Sequence, residues 1–245
     1  MGISVVLLAK HEAKNLDHLL PLIVENIKKL GEEYEIIVVD GVKTEDNTPE
    51  ICTKFNVKYY NQEENNFGSA YKTAIELATN DKFLTLDCDN SHPPEKIPEL
   101  YNKFVSENCD IVIGSRYVQG GTTNDNFISI IMSHLLNNTF RFIFNIPAKD
   151  LSAGFRIYKT NLLKSISIEG QNFDVMQEII IKMRIAKPNL KIAEIPINFN
   201  KRLHGKSHRN LPLFIFTFIF TLIKLFILET HYKIKMFFTG GKHEK

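Results

Sequence analysis

Lys82-Phe83-Leu84-Thr85-Leu86-Asp87-Cys88-Asp89 is the stretch that decides how this chain folds. An apolar run of strand length stops abruptly at two carboxylates one residue apart. A short apolar run without polar alternation reads as a strand buried on both faces. Carboxylates placed where such a strand meets a loop can grip one divalent cation. Mg2+ or Mn2+ held by one or two carboxylates takes its other ligands from water and substrate phosphates. The pair therefore points to chemistry on a diphosphate, with the cation neutralising charge on a leaving group. Two solvated turn residues would be the simpler reading, so the surroundings have to decide.

Outward from this stretch, residues 3–9, 34–39, 57–60, 82–86 and 110–114 read as strands. Segments 14–30, 46–55, 67–79 and 94–106 carry helical patterns between them. Such alternation predicts an α/β fold, a mainly parallel sheet flanked by helices. Ligands of these folds sit beyond the carboxyl ends of the strands. That rule gathers Glu12, Asp40, Asp87, Asp89, Ser115 and Arg116 along one rim. Lys10-His11-Glu12-Ala13-Lys14-Asn15 follows the first strand with no glycine-rich turn, which excludes an ordinary dinucleotide site.

Composition agrees with an ordinary globular protein: 245 residues, net charge +2, 24% charged and 44% hydrophobic. Nothing in that balance calls for nucleic acid as a partner. Cys52, Cys88 and Cys109 lack metal-ligand spacing and fit a reducing compartment. Met1-Gly2-Ile3-Ser4 runs straight into a strand pattern, so no signal peptide is expected.

The ordered motifs resemble those of the GT-A glycosyltransferases of family 2. They are Ser4-Val5-Val6-Leu7 through Glu12 and Asn15-Leu16, Ile36-Ile37-Val38-Val39-Asp40, and Asn66-Phe67-Gly68-Ser69-Ala70-Tyr71. Asp87-Cys88-Asp89-Asn90-Ser91-His92-Pro93-Pro94, Asp110 through Tyr117, Asp150 through Arg156, Glu194-Ile195-Pro196-Ile197 and Arg202 through Ser207 continue the set. The set is most similar to the dolichyl-phosphate mannose synthase and polyprenyl-phosphate glycosyltransferase branch. The resemblance implies a GT-A fold and metal-dependent, inverting transfer of a hexose to a polyprenyl phosphate. The donor it implies is a nucleotide diphosphate sugar, GDP-mannose or UDP-glucose. It implies that Glu12 and Asp40 contact the donor's base and ribose. Asp87 would lie near ribose and metal, and Asp89 would bind Mg2+ or Mn2+ with Ser91 or its water nearby. Arg116, Arg156 and Arg202 would line the acceptor and diphosphate region.

The chain departs from the family pattern at Gly41, where a second acid is common, and at Ser207-His208, where Ser-Lys is common. Lys187-Pro188-Asn189-Leu190 reads as a lengthened turn. A sugar hydroxyl acceptor needs a base within hydrogen-bond reach. A phosphate acceptor is already anionic near neutral pH and needs positioning cations instead. The basic set Arg116, Arg156, Arg202, Lys206 and Arg209 fits the second case. Asp150 and Glu178 are the candidates if a base exists, though either could pair structurally with a nearby arginine. Transfer to a saccharide hydroxyl, or a non-catalytic nucleotide-sugar binding protein, are the rival readings.

Residues 211–228 are apolar apart from Pro212, Thr217, Thr221 and Lys224, and basic residues flank both ends. This pattern predicts a C-terminal helix associated with a membrane surface, in the interface rather than across it. The expected division is a catalytic domain over 1–206 and a membrane-associated helix with a basic tail over 207–245. Segment 127–146 offers a second apolar surface, and the expected location is the cytoplasmic face of a membrane.

Overall fold

The computed structural model describes residues 2–205 and 211–238. Nine strands and eight α-helices are found among them. They are β1 (Gly2–Leu8), α1 (Ala13–Lys28), β2 (Glu33–Asp40), α2 (Thr48–Lys54), β3 (Lys58–Asn61) and α3 (Phe67–Leu77). Next come β4 (Lys82–Thr85), α4 (Ile97–Ser106), β5 (Ile111–Ser115), β6 (Thr122–Thr123) and α5 (Phe127–Phe144). The chain continues through β7 (Arg156–Lys159), α6 (Thr160–Lys164), α7 (Val175–Ala186), β8 (Ile192–Pro196), β9 (Asn198–Phe199) and α8 (Leu211–Phe238).

Seven strands form one sheet in the order β3-β2-β1-β4-β7-β5-β8. β7 runs antiparallel to both its neighbours, and the other pairings in this sheet are parallel. β6 and β9 make a small second sheet. The strands alternate their side chains between two cores, as a pleat of period two demands. Ile3, Val5 and Leu7 of β1 pack with α1, α2 and α4, while Val6 joins α3, α5 and α7 on the other face. Each such side chain contributes about 1.5–3 kcal/mol through burial.

Local signals set the helix ends nearest the rim. Asn66 caps α3 by accepting from the Ser69 amide at 2.8 Å, and Asn126 caps α5 by accepting from Ser129 at 2.9 Å. α5 stops at Asn145, which turns left-handed with φ 49. The strands and helices expected upstream of residue 115 are all present, with small shifts at their ends. β7 was not expected, because Arg156-Ile157-Tyr158-Lys159 is short and begins and ends on a cation.

α8 lies against the α/β body. Leu225 is buried in the core beside α7, and Phe218 meets Phe140 of α5 at 5.2 Å between ring centroids. Its polar stripe faces inward: the Thr221 hydroxyl donates to Asp174 at 2.7 Å, Lys224 pairs with Glu169, and Glu229 pairs with Arg184. Phe216, Ile219, Phe220, Ile223, Phe226 and Ile227 face outward and are exposed. The boundary expected at 206/207, together with Lys206, Ser207, His208 and Arg209, lies outside the described residues.

Candidate active site

Parallel strands deliver their C-terminal ends to one rim. β2 ends on Asp40, which accepts from the Gly41 amide at 2.8 Å and from the Tyr59 hydroxyl at 3.1 Å. Burial raises its pKa beyond what those bonds offset, and nearby Asp46 adds to the rise. A cavity of ≈ 320 Å³ opens beside it, lined by Lys10, His11, Asp40, Val42, Lys43 and Asn65 among others. His11, left-handed with φ 58, reaches Glu45 at 3.1 Å. Glu12 follows β1 and is buried, holding the Asn15 amide group.

β4 delivers the two carboxylates that decided the fold. The Asp87 amide donates to His92 Nδ1 at 3.0 Å. That acceptor role puts the proton of a neutral His92 ring on Nε2. His92 is buried between Phe155 and Phe199 and so fixes the loop. A Cβ at Gly154 would stand 2.9 Å from Asp87 Oδ1, so glycine there leaves room for this carboxylate to lie close to the backbone. Asp89 is buried deeper: its Oδ1 accepts from the Ser91 amide at 3.0 Å and from the Ser91 hydroxyl. Both acids offer hard oxygens suited to Mg2+ or Mn2+. Among the described residues no group of three or more His, Cys, Asp or Glu could hold a metal. A cation on Asp87 and Asp89 would therefore draw its remaining ligands from water or phosphate.

Arg202 joins this rim from the far end of the chain. Its guanidinium bridges Glu12 Oε1 and Asp89 Oδ2, the latter at 3.0 Å. Burial would lower its pKa, but the hydrogen bond to Glu12 and the charge of Asp89 raise it.

Four candidate residues have their charged groups engaged inside the protein. Arg116, at the end of β5, has its guanidinium committed inside the protein. Nε and Nη2 meet the two oxygens of Asp150 at 2.8 and 2.9 Å, and Nη2 also reaches Ser152 at 2.7 Å. Asp125 and Ser133 take further donors. Asp150 is fully buried; burial would raise its pKa, but Arg116 outweighs that and holds it below the usual carboxylate range. It is thus the counter-ion of Arg116 and is not placed as an accessible base. Arg156 is also fully buried, donating to the carbonyls of Met176 at 2.8 Å and Leu151 at 2.7 Å and to the Tyr158 hydroxyl. It props backbone and does not line the cleft. Glu178 accepts from the Glu169 and Gly170 amides and pairs with Lys182 at 2.7 Å, so it too is sequestered.

Sequence reasoning did not single out Lys10, Tyr59 and Asn65, which surround Asp40, or Ser133 and Asn137, which surround the Arg116–Asp150 pair. Their types are common on surfaces, and only the fold brings them to the site.

A mainly parallel sheet with carboxylates gathered beyond its strand ends agrees with the GT-A fold that the sequence motifs imply. The family profile "Glycosyl transferase family 2" matches residues 4–167. The chain belongs to that family. It is 30% identical to the dolichol-phosphate mannosyltransferase of Pyrococcus furiosus over 84% of its own length and 59% of that protein. The chain thus spans less than two thirds of that relative. It is 29% identical to the dolichyl-phosphate hexose transferase of Haloferax volcanii, covering 69% of this chain and 71% of that one. Its fold matches glucosyl-3-phosphoglycerate synthase from Mycobacterium tuberculosis, solved with Mn2+, UDP and phosphoglyceric acid, with TM-score 0.71 and 18% identity. That match covers 92% of this chain and 78% of that one.

Proposed function

We propose that this protein transfers a hexose from a nucleotide diphosphate sugar to a polyprenyl phosphate at the cytoplasmic face of a membrane. One observation carries the reading. Asp87 and Asp89 follow β4, between the Asp40 cavity at the end of β2 and the Arg116–Asp150 pair beyond the end of β5, which Ser133 ties to α5 and its apolar outer face. Donor, cation and lipid acceptor would then follow one another along a single rim.

In this reading the cavity beside Asp40 takes the nucleoside, with GDP-mannose and UDP-glucose as the two candidate donors. Asp87 and Asp89 hold Mg2+ or Mn2+, which supplies positive charge to a departing diphosphate. Sequestration of Asp150 and Glu178 favours an acceptor that needs no deprotonation, as a phosphate does not. It argues against a saccharide hydroxyl, which would need one of those carboxylates as a base.

Membrane contact is supported by α5 and α8 together. Phe127, Ile131, Leu135 and Phe142 of α5 are exposed, and α8, whose outer face is also exposed, packs on α5 through Phe218 and Phe140. Both helices are long and apolar enough to cross a bilayer. The docking of α8 favours an interfacial position instead. From Phe218 to Glu229 it runs roughly 16 Å along the body at 1.5 Å per residue. Spanning would drag Glu169, Asp174 and Arg184 into hydrocarbon, where charges cost several kcal/mol. The three buried free thiols fit a cytosolic setting.

Binding of GDP and UDP to the full chain, with and without Mn2+, tests the donor side by calorimetry. Metal-dependent binding that disappears in Asp89→Asn supports the reading. Equal affinity in the presence and absence of metal would overturn it.

A further inference from the structure

Residues 200–204 form a strap tied to the donor-side rim by backbone hydrogen bonds and ion pairs. The Asn200 amide donates to the Ser91 carbonyl at 2.9 Å, and the Leu203 amide donates to the Asp89 carbonyl at 3.0 Å. His204 and Asn15 exchange two hydrogen bonds, at 3.1 and 3.2 Å. Arg202 adds the two ion pairs to Glu12 and Asp89. The strap ends at Gly205, whose φ of +80 suits a pivot.

The conflict lies at Asp89. Its Oδ1 is engaged by Ser91 and its Oδ2 by Arg202. A cation approaching this carboxylate meets a guanidinium already placed on it. Two cations sharing one largely buried carboxylate repel one another strongly, because screening by water is reduced there. Glu12, the other partner of Arg202, lies on the same rim and offers no retreat. Arginine's planar fork gives each carboxylate its own nitrogen, Nη1 to Glu12 and Nη2 to Asp89, whereas a lysine would serve as a single point charge.

We propose that Arg202 is an exchangeable counter-ion of Asp89: the divalent cation displaces it, and the displacement loosens the strap over residues 200–204. The proposal rests on the reading of Asp87 and Asp89 as cation ligands. Before exchange, Arg202 compensates Glu12 and Asp89 and keeps the strap seated. After exchange, its fork is released on the side where a diphosphate would lie. Linkage requires the effect to run both ways, so whatever weakens the Arg202 contact tightens the cation.

The test titrates Mn2+ alone into the full chain, with free Mn2+ read by electron paramagnetic resonance. Arg202→Met should bind Mn2+ about tenfold more tightly than wild type, within the range usual for coupled sites. Arg202→Lys should fall between them. Hydrogen exchange on unmutated protein gives a second readout, and Mn2+ should speed exchange at the Asn200, Leu203 and His204 amides. Equal or weaker Mn2+ binding by Arg202→Met, or strap amides that Mn2+ slows or leaves unchanged, would overturn the exchange alone. Absence of Mn2+ binding in wild type and both variants would overturn the cation site as well.

Discussion

Replacing Asp150 with asparagine separates a counter-ion from a catalytic base. Asp150 accepts from the Arg116 amide at 3.1 Å, from Nε at 2.8 Å and from Nη2 at 2.9 Å, and from Ser152 Oγ at 3.1 Å. The amide keeps one accepting oxygen but turns an NH2 group toward the guanidinium. Removing one partner of a buried ion pair costs about 3–5 kcal/mol. The bonds that asparagine retains place Asp150→Asn near the lower end, about 3 kcal/mol. At roughly 2–4 °C per kcal/mol for a chain of this size, the melting temperature should fall by about 6–12 °C. Thermal and urea denaturation of the full chain give the number. The double variant Arg116→Met/Asp150→Leu should recover part of the loss, because no charge is then left buried alone. A variant as stable as wild type to within about 0.5 kcal/mol, yet without turnover, would refute this reasoning and make Asp150 a base.

Two further outcomes follow from the same geometry. Glu35 accepts from Ser4, from the Thr79 amide and hydroxyl, and from Lys58. Burial would raise its pKa, but these partners lower it from 4.5 to about 2. A depressed carboxylate stabilises the fold above its unfolded pKa and loses that effect as pH falls through the folded value. Stability should therefore drop between about pH 4.5 and 2, by on the order of 2 kcal/mol once the exposure of Lys58 is discounted. Glu35→Gln should flatten that segment of a denaturation-versus-pH curve, and an unchanged slope would contradict the assignment. On α5 and α8, Phe142→Glu and Phe216→Glu should each cut partition into anionic vesicles about tenfold, given the apolar area a phenylalanine buries. Val105→Glu, also exposed but on α4 across the sheet, should leave flotation unchanged.

The sheet was legible because its strands are short apolar runs ending on polar residues, and the position of Asp87 and Asp89 followed from that. The direction a charged side chain takes was not legible. Arg156 carries the type expected at a phosphate site and Asp150 the type expected of a base, yet both point into the body, where carbonyls and Arg116 receive them. Sequence type says that a charge needs compensation; only packing says whether a ligand or the protein supplies it. Arg116 and Asp150 stand 34 residues apart, and Arg202 and Glu12 stand 190 apart, so neither pair leaves a local signal. The inward stripe Thr221 and Lys224 of α8 was visible as helical spacing, but its partners Asp174 and Glu169 were not.

The central claim is transfer of a hexose to a lipid phosphate, and a partition assay tests it most directly. Membranes containing the full chain would receive Mn2+ or Mg2+, a polyprenyl phosphate and labelled GDP-mannose or UDP-glucose in separate tubes, beside Asp89→Asn. Label entering the organic phase with one donor, and absent from the variant, is the result expected here. Label that stays in the aqueous phase with both donors, while a saccharide acceptor takes it up, would contradict the account.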